Sequence, residues 1–291
     1  MKNSKALFHD LVEQITLKED QDEIQGIAFL VLENILGLSR ADVLSEKQVS
    51  MTDIEGRLSE IIKRINQHEP IQYIFGEAYF FGRKFKVNPS VLIPRPETEE
   101  LVQVIISEMK ERSAQMKVGK DEKLRILDIG TGSGCIPISL ALEITNAEVF
   151  AVDISEEALK VAEQNARHLH ADVQFTRMDI LKDDIPFHNL DIVVSNPPYI
   201  AVSEMKSMRN NVIDYEPHLA LFVEESDPLI FYKMIATKLK SVLKSGGLLA
   251  VEINERFGKE VADVLKKNDF HSVEIIKDIA GKERIVKGIY L

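Results

Sequence analysis

Hydrophobic positions over the first 75 residues recur at helical spacing. In ALFHDLVEQI, Leu7, Phe8, Leu11, Val12 and Ile15 fall on one face. IQGIAFLVLENILG is apolar nearly all round, which predicts a buried helix closed by Gly37. Thr52 and Glu55 stand at capping-box spacing ahead of a stripe of Ile54, Leu58, Ile61, Ile62 and Ile65. Glu69-Pro70 ends the region. The pattern predicts four or five short helices forming a small bundle over residues 1–75.

The period then changes. Residues 76–93, GEAYFFGRKFKVNPSVLI, alternate aromatic and polar positions around a Gly82-Arg83 break, which predicts a β-hairpin connector. A helix returns over Glu97–Arg112, followed by a polar surface loop, SAQMKVGKDEK. From Leu124 the chain alternates strand and helix. Strands are expected at RILDIG, EVFAVD, VQFTRMD, LDIVVS, GLLAVEI, SVEIIKD and RIVKGIYL, with helices such as SEEALKVAEQNARHL and DPLIFYKMIATKLKSVL between most of them. That order implies an α/β domain over residues 94–291, with a mostly parallel sheet covered on both faces. The last two strands are joined by only IAGKE, so they pair as an antiparallel hairpin.

Composition narrows the class. The 291 residues carry 45% hydrophobic and 29% charged residues, as a globular protein does. The single cysteine, Cys135, excludes a disulfide framework and reads as a small packing residue; no Cys/His cluster suggests a metal. No apolar run reaches the ~20 residues needed to cross a bilayer, and the polar N-terminus does not suit a signal peptide. These features predict a cytoplasmic protein. The net charge of −11 and the lack of a basic block weigh against a nucleic-acid substrate.

LDIGTGSGCIPISLAL carries the clearest chemical signal. Gly130, Gly132 and Gly134 follow a strand at alternate positions and lead into a helix, with Thr131 and Ser133 between them. The dinucleotide pattern G-x-G-x-x-G would need glycine where Cys135 stands. A cofactor without a phosphate needs no such third approach. Asp153 ends the second strand and can accept both hydroxyls of a ribose. The cofactor that fits is a nucleoside derivative, S-adenosylmethionine. The bland alternative is a tight strand–helix turn with no ligand. Asp179 ends the third strand beside Ile180; an adenine contact and a solvent-exposed strand end are both open for it.

SNPPYI, Ser195–Ile200, stops the fourth strand with Pro197 and Pro198, neither of which can donate to a ladder. If the first and fourth strands are neighbours, Asn196 faces the glycine loop. These residues suit methylation of a planar NH2 group. The Asn196 side-chain oxygen and the Pro197 carbonyl can each accept one N–H. Pro198 holds Pro197 extended, and Tyr199 can stack on the flat group. No tuned general base is required, because the nitrogen becomes acidic as it is alkylated. The competing reading is a structural Pro-Pro turn.

EPIQYIFGEAYFFG, IPRPETEELV, the glycine loop, AVDIS, SNPPYI and YEPHLAL together resemble the HemK/PrmC family of glutamine-N5 methyltransferases, over nearly the whole chain. The resemblance implies a seven-stranded, Rossmann-like class I methyltransferase domain. It implies that class 1 peptide-chain release factors are the protein partner, methylated at the glutamine of a Gly-Gly-Gln loop. It implies cofactor contacts at Gly130–Gly134, Asp153 and Asn196, and a grip on the glutamine amide by Asn196–Tyr199. For Arg95 and Glu97, substrate contact and a helix-capping salt bridge are both open. Glu216 and Pro217 read as ordering the segment after SNPPYI. VEIN, GKERIV and the aliphatic Ile180–Leu181 depart from the family pattern. The bundle is expected to recognise substrate, and the protein to be a monomer. The rival targets are a glutamine of ribosomal protein L3, disfavoured by Pro96, and an exocyclic amine of DNA or RNA. A binding module with a decayed site would need the loss of a critical group, and none is visibly lost.

Overall fold

The computed structural model describes residues 2–52, 54–115 and 123–291. The chain divides into two compact units, Met1–Gly76 with Arg209–Tyr215, and Glu77–Met208 with Glu216–Leu291.

In the first unit the helical stripes become helices Ser4–Gln14, Gln21–Leu36, Arg40–Leu44, Glu55–Asn66 and Ile71–Phe75. Their ends follow side-chain chemistry. Asn3 accepts from Lys5 N and Ala6 N, and Asp20 accepts from Glu23 N. Gly37 closes the second helix at φ 64°. Leu7, Leu11, Ala28, Val31, Leu32, Leu58 and Ile65 form the centre of the core.

Two expectations need correction. The second helix is not buried all round: Ile24, Ala28, Val31 and Leu32 are enclosed, while Ile27, Phe29 and Ile35 are half-buried. A small unit lacks the material to cover both sides of a 16-residue helix. Thr52 forms no capping box either. Helix Glu55–Asn66 has Ile54 at its N-cap with no side-chain bond, and the Thr52 hydroxyl instead lies 3.2 Å from that of Ser50. A short antiparallel pair, Lys2–Asn3 with Gln48–Val49, was not anticipated.

The second unit opens with the hairpin Glu77–Phe80 and Arg83–Lys86, which turns at Phe81 and Gly82, both at positive φ. Phe80 and Phe85 are fully buried with Leu101 and Ile105. The hairpin is therefore part of this unit's core rather than a free connector. Helix Pro96–Gln115 extends beyond the expected end at Arg112; the rest of the expected loop, 116–122, lies outside the described residues.

The main sheet has seven strands: β1 Leu124–Ile129, β2 Ala147–Asp153, β3 Val173–Arg177, β4 Leu190–Ser195, β5 Leu243–Glu252, β6 Phe270–Lys277 and β7 Glu283–Tyr290. Their spatial order is β6-β7-β5-β4-β1-β2-β3, with only β7 antiparallel to its neighbours. Strand order reverses between β1 and β4, as the sequence reading required for its site. Alternate strand residues feed two cores. Leu127, Val152, Val193 and Val251 face one, and Ile126, Val149, Val194 and Ala250 the other. Helix Ile230–Leu239 is shorter than expected, because the chain enters β5 already at Leu243.

Candidate functional site

After Ile129 the chain turns through Gly130, Gly132 and Gly134 at φ 78°, 54° and 80° before helix Cys135–Glu143. The left-handed region favours glycine at all three. At Gly134 space excludes a side chain as well: an added Cβ would lie 3.0 Å from Ala162 Cβ and Ile138 Cδ1. Gly130 N and Thr131 N both donate to the Val152 carbonyl, at 2.9 and 3.0 Å. Asp153, the last residue of β2, braces the turn. Its Oδ2 accepts from Gly132 N at 2.8 Å, and its Oδ1 from Ser155 N at 2.9 Å. Burial raises its pKa; the backbone N–H groups of Ser155 and Gly132 oppose that rise.

A cavity of about 340 Å³ opens over this turn, within the range of small-molecule sites. Gly130, Gly132, Asp153, Asp179, Ile180, Pro197 and Pro198 line it. Thr131, Ser133 and Gly134 do not; Thr131 and Ser133 are buried and shape the turn from behind. β3 ends at Arg177, so Asp179 sits in a turn beyond the strand rather than at its end. Its Oδ1 accepts from Leu181 N at 3.0 Å, and its Oδ2 pairs with Lys182 at 3.0 Å. Burial works to raise its pKa, but the Lys182 ammonium and the Leu181 N–H bring it below the usual value. An aromatic wall is present despite the aliphatic Ile180–Leu181. Phe231 supplies it from helix Ile230–Leu239.

SNPPYI lies beside the turn because β4 pairs with β1, Ser195 opposite Ile129. The Ser195 hydroxyl fixes that register by donating to the Ile129 carbonyl at 2.7 Å. The Asn196 carbonyl oxygen lies 4.0 Å from where a Gly130 Cβ would stand. Asn196 is half-buried and does not itself line the cavity, although Ser195 and Pro197 on either side do. Its Nδ2 donates to Thr98 Oγ1 at 3.1 Å. The Thr98 hydroxyl in turn donates to Glu252 Oε2 at 2.6 Å, and the Tyr199 hydroxyl donates to Glu252 Oε1 at 3.0 Å. Among the described residues, no N–H or O–H donates to Asn196 Oδ1 or to the Pro197 carbonyl. Two acceptors on adjacent residues are thus left for a further donor.

Arg95 and Glu97 do not line the cavity. Arg95 Nη2 donates to Glu216 Oε1 at 2.6 Å, and Ile93 N donates to Glu216 Oε2 at 3.2 Å. Glu216 is buried and pins Pro217, Leu219 and Ala220 beside Ser90–Leu92 at the cavity. Arg95 therefore works in a salt bridge, though not one that caps the following helix. Glu97 is exposed on the first helical turn.

Four further residues shape the site without having been singled out. Thr98 and Glu252 form the chain beneath Asn196. Asn165, fully buried, bonds Lys86 N, the Lys86 carbonyl and the Ser133 carbonyl, tying the hairpin to the glycine turn. Asp128, on β1, is wholly buried, and neither carboxylate oxygen has a donor; the adjacent Thr131 hydroxyl is also unpartnered. Burial pushes the Asp128 pKa to about 7; the Thr131 hydroxyl opposes this without ordinary hydrogen-bond geometry, and the Asp153 charge adds to it. Burial also pushes the Cys135 thiol to about 12, which makes it a packing residue and not a nucleophile. Among the described residues, no group of His, Cys, Asp and Glu could hold a metal ion, and no helix is long and apolar enough to cross a membrane.

Comparison with known proteins places these features. The PrmC N-terminal domain matches residues 14–76 and a methyltransferase domain matches residues 120–286. A release factor glutamine methyltransferase of Flavobacterium psychrophilum is 41% identical over 288 residues, covering 99% of this chain and 98% of the relative. One from Bacteroides thetaiotaomicron is 44% identical over 267 residues, covering 91% and 92%. A solved methyltransferase of Pyrococcus furiosus shares the fold at 18% identity, with a TM-score of 0.50 over 79% of this chain and 98% of that one.

Proposed function

We propose that this chain, which belongs to the release factor glutamine methyltransferase family, transfers a methyl group from S-adenosylmethionine to a release factor. The acceptor is the side-chain amide nitrogen of the glutamine in the Gly-Gly-Gln loop of a class 1 factor. The observation that carries this reading is the pair of unclaimed acceptors, Asn196 Oδ1 and the Pro197 carbonyl, at the edge of a glycine-lined cavity.

The residues present fit the cofactor. Each Asp153 oxygen holds one backbone N–H and keeps lone-pair capacity for a ribose hydroxyl. Ile180, Leu181 and Phe231 offer apolar walls for a base. S-adenosylmethionine supplies an electrophilic methyl on a sulfonium.

The protein's part is orientation. An amide nitrogen is a poor nucleophile because its lone pair is delocalised. Asn196 Oδ1 and the Pro197 carbonyl take its two N–H groups and hold the lone pair toward the cavity. As positive charge develops on the nitrogen, both acceptors are already aimed at its protons. The Tyr199 hydroxyl is held to Glu252, which fixes the ring that would stack on the flat amide. The proton leaves after alkylation, when the nitrogen is strongly acidic, and no side chain needs a pKa near neutrality to remove it.

The helical unit offers a separate surface for recognising protein around the glutamine. The protein acts as a cytoplasmic monomer on a protein substrate, without nucleic acid. Labelled methyl transfer, run side by side on a class 1 release factor, ribosomal protein L3 and nucleic acid, tests the reading. Label in the release factor alone is expected. Label only in one of the others would replace the proposal.

A further inference from the structure

The hydrogen-bond chain under Asn196 has a direction, and that direction decides which end of the amide faces the substrate. Glu252 is 1% exposed at the end of β5. Its two oxygens accept from two hydroxyls, Thr98 at 2.6 Å and Tyr199 at 3.0 Å. Burial and the Glu252 charge push the Tyr199 phenol well above its usual range, so Tyr199 remains a donor. A threonine hydroxyl has one proton. Once it is committed to Glu252, the oxygen of Thr98 can act toward Asn196 only as an acceptor. Asn196 must therefore meet it with Nδ2, the contact found at 3.1 Å. The opposite edge of the amide, Oδ1, is then the one left open.

We propose that Thr98 is a positioning residue: its hydroxyl, held as a donor to the buried Glu252, fixes the rotation of the Asn196 amide so that Oδ1 is offered to the reacting nitrogen. The inference rests on the reading of Asn196 as the acceptor for the substrate amide. A flipped Asn196 would present an NH2 to another NH2, two donors facing each other, and the grip would be lost. The sequence separation shows why such a device escapes local patterns. Thr98 is 98 residues from Asn196 and 154 from Glu252.

Thr98→Val keeps the shape and removes the hydroxyl; Thr98→Ser keeps the hydroxyl. In the full chain at saturating release factor and S-adenosylmethionine, Thr98→Val should lower kcat about fivefold to tenfold, the scale of one neutral hydrogen bond. KM for the release factor and the Kd of S-adenosylhomocysteine should each stay within about twofold, since the acceptor matters most as charge develops. Thr98→Ser should restore kcat to within about threefold of the parent. A second readout needs no substrate. The Asn196 side-chain amide, identified by its loss in Asn196→Asp, should show two well-separated proton shifts in 15N-labelled parent and Thr98→Ser, one proton being bonded. The separation should narrow toward that of an unbonded amide in Thr98→Val. Parental kcat in Thr98→Val, or an unchanged amide signal, would overturn the proposal. A parent that methylates no glutamine would instead overturn the functional reading, and the amide signal would still decide the geometry.

Discussion

Replacing Asp128 with asparagine should stabilise the protein, and more so as the pH rises. Asp128 is wholly buried with no donor on either oxygen, and its pKa rises from 3.8 to about 7, chiefly through burial. A carboxyl whose folded pKa lies above its unfolded one contributes stability that is complete below the unfolded value and is lost as pH rises through the folded one. The window here runs from about 4 to about 7. Above it, the buried charge costs roughly 4 kcal/mol, at about 1.4 kcal/mol for each pH unit of displacement. Asparagine has nearly the same shape and no charge. The stabilisation from Asp128→Asn should therefore be about 2–3 kcal/mol larger at pH 8 than at pH 5. Urea unfolding followed by far-ultraviolet circular dichroism at the two pH values measures this difference. Equal stabilisation at both pH values would refute the buried-charge reasoning.

Other residues give equally direct tests. Asn196→Ala should remove about 3 kcal/mol of transition-state stabilisation, on the order of a hundredfold in kcat, with S-adenosylhomocysteine binding retained; steady-state kinetics and calorimetry check it. Gly134→Ala should cost about 2–4 kcal/mol, because strain at φ 80° adds to contact with Ala162 and Ile138, whereas Gly132→Ala, with nothing within 4 Å, should cost only about 1–2 kcal/mol; denaturant midpoints compare them. Asn165→Ala should cost about 2–4 kcal/mol by leaving Lys86 N and two carbonyls without their buried partner, and thermal unfolding reads that loss.

The parts of the site legible in the sequence are those written locally. Gly130, Gly132 and Gly134 advertise a turn by their own conformational needs, and Asp153 stands where a run of β-favouring residues stops. The proline stop at Pro197 marks the end of β4 in the same way; alternation of strand and helix predicts a parallel sheet, but it is the pairing of Ser195 with Ile129 that puts β4 beside β1. What escaped was written over long distances. Thr98 looks like part of a helix start, Glu252 like a surface acid, and Asn165 like a polar position on an amphipathic helix. Each gains its meaning from partners 32 to 154 residues away. Phe231 joins Ile180 and Leu181 at the cavity from helix Ile230–Leu239, which no inspection of the local segment could reveal. The failed capping box at Thr52 shows the converse: correct spacing is not enough when the helix begins after Ile54. The alternation over residues 76–93 contains the hairpin Glu77–Phe80 with Arg83–Lys86, but its burial depends on Phe80 and Phe85 meeting Leu101 and Ile105 of the next helix.

The proposed chemistry ends on one kind of nitrogen, and fragmentation mass spectrometry of the digested release factor can identify it. After incubation with S-adenosylmethionine, the fragment ions should place one added methyl on the side chain of the Gly-Gly-Gln glutamine and nowhere else. A methyl on any other residue, or a release factor that emerges unmodified while the enzyme binds S-adenosylhomocysteine normally, would contradict the account.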